Sequence, residues 1–251
     1  MAFPRSWEER EQTMEHKSNH YDDFALQYEK LVAAREEAGF EHDPIMPRFL
    51  KVLGDVSGLL TLDAGCGEGY FSRILARLGA RVTGIDIAAS LIEIARTKDP
   101  EGTITYQVAD LSQPLPTYLN HFDLIVSHLV LNDVYDYRGF LTTLGSVARS
   151  GGRLVMSLNN PYSYVVRSHI TNYFDSGKAF PYRGMAEEGV KVHFYHRTLE
   201  EYVEACLSAG FQLQHLLDIP TPEGTFKRRS DTLLPVGYQF PFFMLLMLRK
   251  P

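Results

Sequence analysis

The chain has 251 residues, 45% of them hydrophobic and 22% charged, which suits one α/β domain with a modest cap and an ordinary core. Its formal net charge of −6 argues against a general affinity for nucleic acid or an anionic membrane, both of which need a basic surface. Two cysteines, Cys66 and Cys206, make no disulfide framework, and no Cys/His spacing suggests a zinc site.

The first stretch, MAFPRSWEEREQTMEHK, is charged throughout and does not read as a signal peptide, so a reducing, cytoplasmic setting is expected. Residues 22 to 38 place Phe24, Tyr28, Leu31 and Val32 at helical spacing, predicting an amphipathic helix that Gly39 ends. A second helix is expected from about Pro44, carrying Ile45, Phe49, Val52 and Leu53 towards Gly54.

From residue 59 short apolar runs alternate with helical ones. LLTLDAG, ARVTGIDI, TITYQVADL, FDLIVSHLVL and RLVMSLN read as strands. GYFSRILARL, ASLIEIARTK and the segment from Tyr137 to Arg149 read as helices. Such alternation predicts βαβ units and a parallel sheet covered on both faces. Residues 161 to 196 show no clean period but many aromatics. A helix follows from Thr198, where Thr198 and Glu201 form a capping box, to about Ala209.

FQLQHLLDI and PVGYQFPFFMLLML come next with no helix between them, which predicts an antiparallel pair joined by TPEGTFKRRSD. The run FPFFMLLML is far shorter than the ~20 residues that cross a bilayer and reads as a buried closing strand. Lys227, Arg228 and Arg229 read as a solvated loop. The expected organisation is a helical extension over residues 1–55 and one domain over 56–251, with a cap inserted at about 161–196.

The glycines of LDAGCGEGY raise the question of a nucleotide cofactor. A dinucleotide fingerprint needs a small third residue where this chain has Tyr70, and a P-loop needs Lys-Ser/Thr after its glycines. Both phosphate readings fail on those residues. Asp63 precedes the glycines, Asp86 ends the next strand in GIDI, and Asp110 ends the third in VADL. Three carboxylates at successive strand ends suit a ligand with an ammonium or sulfonium group, a ribose and an adenine.

LDAGCGEG, TGIDI, VADL, HFDLIVSHLVLNDV and RSGGRLVMSL, in that order, resemble the class I S-adenosylmethionine-dependent methyltransferases. Within the class the likeness is to the small-molecule, ubiquinone/menaquinone-biosynthesis-like group, which the tail YHRTLEEYVEACLSAGF also resembles. The resemblance implies a Rossmann-like, doubly wound seven-stranded sheet, mostly parallel with its last strand antiparallel. It implies S-adenosyl-L-methionine as cofactor. The backbone of Ala64, Gly65, Cys66 and Gly67 would pass its methionine part, and Asp63 would lie near its amino group. Asp86 would take the ribose hydroxyls, Ile87 would pack on the adenine, and Asp110 would face the adenine amine beside Leu111. Ser127 and His128 would lie near the cofactor and substrate mouth, and Tyr21 and Tyr28 where a tyrosine often closes over the cofactor. Asn132 stands where this group often has histidine, which removes one obvious general base.

Methyl transfer needs a base only if the acceptor must lose a proton early. His128 and His196 are the candidates expected nearest the acceptor, with His193 and His20 behind them, although any one histidine more often has a structural role. Cys66 reads as a small packing residue, and Tyr28 also falls on an apolar stripe. The N-terminal helix and the aromatic segment are expected to roof a pocket for a flat or apolar small molecule. Arg167, Lys178, Arg183 and Arg197 are candidate partners for a negative group on it. A small-molecule acceptor is thus the expected partner, without nucleic acid or membrane, and a homodimer is allowed. The competing readings are a non-catalytic interaction protein on the same fold and a nucleic-acid methyltransferase.

Overall fold

The computed structural model describes residues 21–39, 43–166, 170–182, 192–220 and 240–251. Seven strands form the main sheet: β1 (Leu60–Ala64), β2 (Arg81–Asp86), β3 (Thr105–Val108), β4 (Phe122–His128), β5 (Ala148–Asn159), β8 (Gln212–Pro220) and β9 (Pro241–Arg249). A separate pair, β6 (Ala179–Tyr182) and β7 (Val192–Tyr195), forms a small antiparallel sheet. The main order is β3-β2-β1-β4-β5-β9-β8. Strands β1 to β5 are parallel, and β9 runs antiparallel to both β5 and β8. The expected doubly wound sheet with a reversed last strand is what forms.

Alternate residues of the central strands supply two cores. Leu62, Ile85, Ile125 and Leu154 pack with α5 (Tyr137–Val147) and α7 (Leu199–Ser208) through Leu141, Leu144, Tyr202 and Cys206. On the other face Val82, Leu124, Val126 and Val155 meet α2 (Met46–Leu53), α3 (Tyr70–Arg77) and α4 (Ala89–Thr97) through Phe49, Phe71, Ile74 and Ile92. Both faces are dry, as a sheet of βαβ units requires. Strand order reverses between β1 and β4, so the carboxyl ends of β1, β2 and β4 open a crevice at the switch point.

Above the crevice lies a cap drawn from two parts of the chain. A 3-10 turn (Tyr21–Phe24) leads into α1 (Ala25–Ala38), and Phe24 packs with Tyr164, Ile170, Phe180 and Phe194 of the later segment. Tyr164 sits on the short helix α6 (Pro161–Val166) and Phe194 on β7. Buried Glu68 anchors α1 to the sheet domain. It pairs with Arg73 and Lys98, which reach Glu36 and Glu29 of α1 at 3.0 and 2.8 Å.

Several boundaries differ from expectation. The aromatic stretch holds a helix and a hairpin, organised by ring packing that leaves no sequence period. Strand β3 stops at Val108, so Asp110 lies in the following turn, and β4 stops at His128 because Leu129 adopts φ 58°. The helix expected to reach Arg149 ends at Val147, where Ala148 turns extended and pairs with Phe122. Val147 and Ala148 are both fully buried, so the chain enters β5 directly. Lys227 to Arg229 and residues 235–239 of the last apolar segment lie outside the described residues, as do His20, Arg167 and Arg183.

Candidate active site

The crevice encloses a cavity of about 560 Å³. Its floor is the turn after β1. The Gly65 and Cys66 N–H groups donate to the Ile85 carbonyl, at 2.8 and 3.1 Å, which bends the chain away from the sheet. Gly65 has φ +79°, and a methyl group there would lie 2.5 Å from Val130 Cγ2. Both the backbone and the space therefore demand glycine. Gly65→Ala should lower stability by about 1–3 kcal/mol, read as a denaturant midpoint shift, and Val130→Ala in the same chain should restore the part due to the clash.

Asp63, at the end of β1, is buried and accepts a 2.6 Å bond from the Ser72 hydroxyl. Burial pushes its pKa up to about 7 against the lowering effect of Ser72, and the charge of Asp86 adds to the rise. Asp86 spans the start of the next turn. Its Oδ2 accepts from the Gly67 N–H at 2.8 Å and its Oδ1 from the Ala88 N–H at 2.9 Å. Burial raises its pKa while those backbone donors lower it. Ile87, Asp110 and Leu111 continue the wall. Asp110 also caps its own turn, accepting from the N–H and hydroxyl of Ser112 at 2.9 and 2.6 Å.

The cap supplies the opposite wall. Tyr28 faces Gly67, whose added methyl would meet its Cε1 at 3.6 Å, and Tyr21 packs edge-on against Tyr28 at 5.1 Å. Burial pushes the Tyr28 phenol up to about 12 and that of Tyr21 well above its ordinary value. The Tyr21 hydroxyl donates a 2.6 Å bond to Asp133 Oδ2, across the cavity from the loop after β4. Asp133 is the residue sequence reading missed. Its pKa rises to about 8 through burial, with a further rise from Asp86, while the Tyr21 bond and Arg197 pull it down. The only signal in the sequence was an acid directly following Asn132.

The cavity wall thus brings together Tyr21, Tyr28, Asp63, Gly65, Cys66 and Gly67 with Asp86, Ile87, Asp110, Leu111 and His128. Ala64 and Ser127 are buried in the sheet and not on that wall. The thiol of Cys66 is pushed well up by burial, which suits packing rather than nucleophilic attack.

The histidines divide. His128 lines the cavity, its Nδ1 2.8 Å from the Ser157 hydroxyl and its ring edge-on to Phe49 and Phe71. Burial lowers its pKa to about 4, so it stays neutral at physiological pH. His196 is off the wall. It is fully buried under the cap, with Nε2 2.6 Å from the Tyr173 carbonyl, between the rings of Tyr164 and Tyr173. His193 is exposed on β7 and off the wall.

Two further side chains are fully engaged in structure. The Arg197 guanidinium donates to the carbonyls of Leu131, Val134 and Tyr135, which shapes the loop carrying Asp133 and leaves it no role as a free cation. Asn132 is completely buried. Its Nδ2 donates to the hydroxyls of Tyr164 and Tyr202 at 2.8 and 3.3 Å, and its Oδ1 accepts from the Asn159 N–H at 3.0 Å. Lys178 is exposed.

Comparison with known proteins agrees with this geometry. Residues 62–156 match the model of a methyltransferase domain. The chain is 37% identical over 117 residues to a demethylmenaquinone methyltransferase of Tropheryma whipplei, covering 46% of this chain and 48% of that one. It is 37% identical over 124 residues to a ubiquinone biosynthesis O-methyltransferase of Methylocella silvestris, covering 49% of this chain and 46% of that one. The chain thus spans about half the length of the curated relatives it matches. Among solved structures it is similar to an S-adenosylmethionine-dependent methyltransferase from Mesorhizobium loti, with a TM-score of 0.65 and 26% identity over 84% of this chain and all of that one. Residues 62–156 thus carry a methyltransferase domain, and from the glycine turn to the reversed closing strand the chain is similar to the class I S-adenosylmethionine-dependent methyltransferases.

Proposed function

We propose that this protein transfers the methyl group of S-adenosylmethionine to a small-molecule acceptor. The observation that carries the reading is Asp86. Both its carboxylate oxygens are held by backbone N–H groups beside a phosphate-unfriendly glycine turn, at the sheet's switch point. The residues fit the cofactor: a wall bearing Asp63, Asp86 and Asp110 suits a sulfonium and an ammonium, and each Asp86 oxygen, with one backbone donor, keeps a lone pair that would suit a ribose hydroxyl. When bound, the cofactor supplies a methyl carbon activated by positive sulfur.

The chain's own part is positioning and exclusion of water. Tyr21 and Tyr28 would close the cap over the cofactor, and Phe194, Tyr195, Tyr135 and Phe243 would hold a flat apolar acceptor. The relatives named for quinone biosynthesis support an acceptor of that kind. Among the described residues no helix is long and apolar enough to cross a membrane. The net charge of −6 speaks against nucleic acid, and two free buried cysteines suit the cytoplasm.

Equilibrium binding tests the reading. The wild type should bind S-adenosylmethionine saturably, and Asp86→Ala should weaken it about 10- to 100-fold through the loss of charged hydrogen bonds. Incubating the protein with labelled cofactor and a small-molecule extract should label a low-mass product. A wild type with no saturable binding would remove the methyltransferase reading.

A further inference from the structure

We infer that Asp133 is the catalytic base, and that the acceptor atom arrives carrying a proton, as a hydroxyl or an amine on a small ring. This rests on the methyltransferase reading and deepens it. Three observations carry it. Asp133 lines the same cavity as Asp86 and His128, on the loop leaving β4. Its Oδ2 is fixed by the Tyr21 hydroxyl at 2.6 Å, while its Oδ1 is buried with no hydrogen-bond partner among the described residues. An orphan carboxylate oxygen, buried beside a cavity that its own residue lines, is costly unless a donor reaches the carboxylate when the site is occupied.

The neighbouring chemistry favours Asp133 over the described histidines. His128 has its Nδ1 on Ser157 and aromatic rings around it, and burial disfavours its protonated form. His196 is not on the wall. Among the described residues the charged and titratable groups acting on Asp133 are Tyr21 and Tyr28 from the cap, Tyr195 from β7, Asp86 from β2, and Arg197, whose donors are taken by carbonyls. No ammonium side chain among the described residues bonds to Oδ1. A carboxylate or phosphate acceptor would instead set like charge against Asp133 and Asp86.

In the step, the Asp133 carboxylate takes the proton from the acceptor O–H or N–H. The freed electron pair forms the bond to the methyl carbon, and the carbon–sulfur pair returns to sulfur, which becomes neutral. The raised basicity of Asp133 suits a proton acceptor working near neutral pH. Tyr21 is a positioning residue: its bond to Oδ2 fixes the carboxylate in the cavity wall.

The test uses the whole protein, labelled cofactor and three single-ring probes: a catechol, an aryl-ethylamine and a benzoate. The catechol or the amine should be methylated and the benzoate not. Asp133→Asn should bind S-adenosylmethionine like the wild type yet lose about 10²- to 10⁴-fold in kcat. It should also lose the ascending limb of the kcat/KM–pH profile. Tyr21→Phe removes the bond that lowers the Asp133 pKa, so that limb should move to higher pH. Carbon-13 NMR of labelled aspartates, without any cofactor, should show one carboxyl titrating above pH 7 that vanishes in Asp133→Asn and shifts up in Tyr21→Phe.

An Asp133→Asn enzyme with unchanged rate and pH profile overturns the assignment. So does methylation of the benzoate alone, or of no probe by a protein that binds the cofactor. A protein that binds no S-adenosylmethionine fails the methyltransferase reading itself.

Discussion

Asn132→Ala is expected to destabilise the protein by about 3–5 kcal/mol, with a melting temperature lower by roughly 10 °C for a chain of this size. The size of the loss follows from what the side chain joins. Asn132 is fully buried just after β4, and its amide ties α6 through Tyr164, α7 through Tyr202 and the end of β5 through the Asn159 N–H. Truncation leaves the Asn159 N–H with no acceptor and a cavity beside two large, completely buried tyrosines. Tyr164→Phe, which removes one hydroxyl and keeps the packing, should cost about 1 kcal/mol. A shift below 2 °C in Asn132→Ala would show that the network is not a structural joint. Its backbone carbonyl still accepts from the Tyr195 N–H, so the variant should keep β7 attached over the cavity.

Where sequence fell short, the missing information was three-dimensional. Strands β1, β2 and β5 and the capping box at Thr198 were legible because burial and local hydrogen bonding act through near neighbours in the chain. Asp63 and Asp86 were legible because strand ends in βαβ units converge at one crevice. Asp133 was not, since its significance comes from Tyr21, more than a hundred residues earlier in the chain. Arg197 looked like a free cation until its donors were seen on three carbonyls of another loop. The aromatic segment gave no period because its order comes from ring contacts such as Tyr164 with Phe180, between a helix and a hairpin. Asn132, weighed as the loss of a base, is instead the joint beneath the cap.

Asp63→Asn should make the cofactor-free protein more stable at pH 8 while removing the pH dependence that Asp63 gives to cofactor affinity. The carboxyl has an ordinary pKa of 3.8 when unfolded and about 7 when folded, raised first by burial. Between those values the folded chain holds a proton that the unfolded chain has released. Its contribution to stability is therefore full below 3.8, falls as pH rises through that window, and is gone above 7. The loss is on the order of 2–4 kcal/mol, and an amide, which never ionises, escapes it. Melting curves of the two proteins should lie closest near pH 4 and separate by several degrees at pH 8, the variant higher. Cofactor binding reverses the preference, because an ammonium beside Asp63 stabilises its charge. Wild-type affinity for S-adenosylmethionine should rise by up to about tenfold per pH unit below 7 and then level off. Asp86 and Asp133 also titrate in this wall, so the difference between wild type and Asp63→Asn isolates the share of Asp63. Parallel affinity profiles for the two proteins would remove Asp63 from the cofactor's ammonium and leave it a buried partner of Ser72.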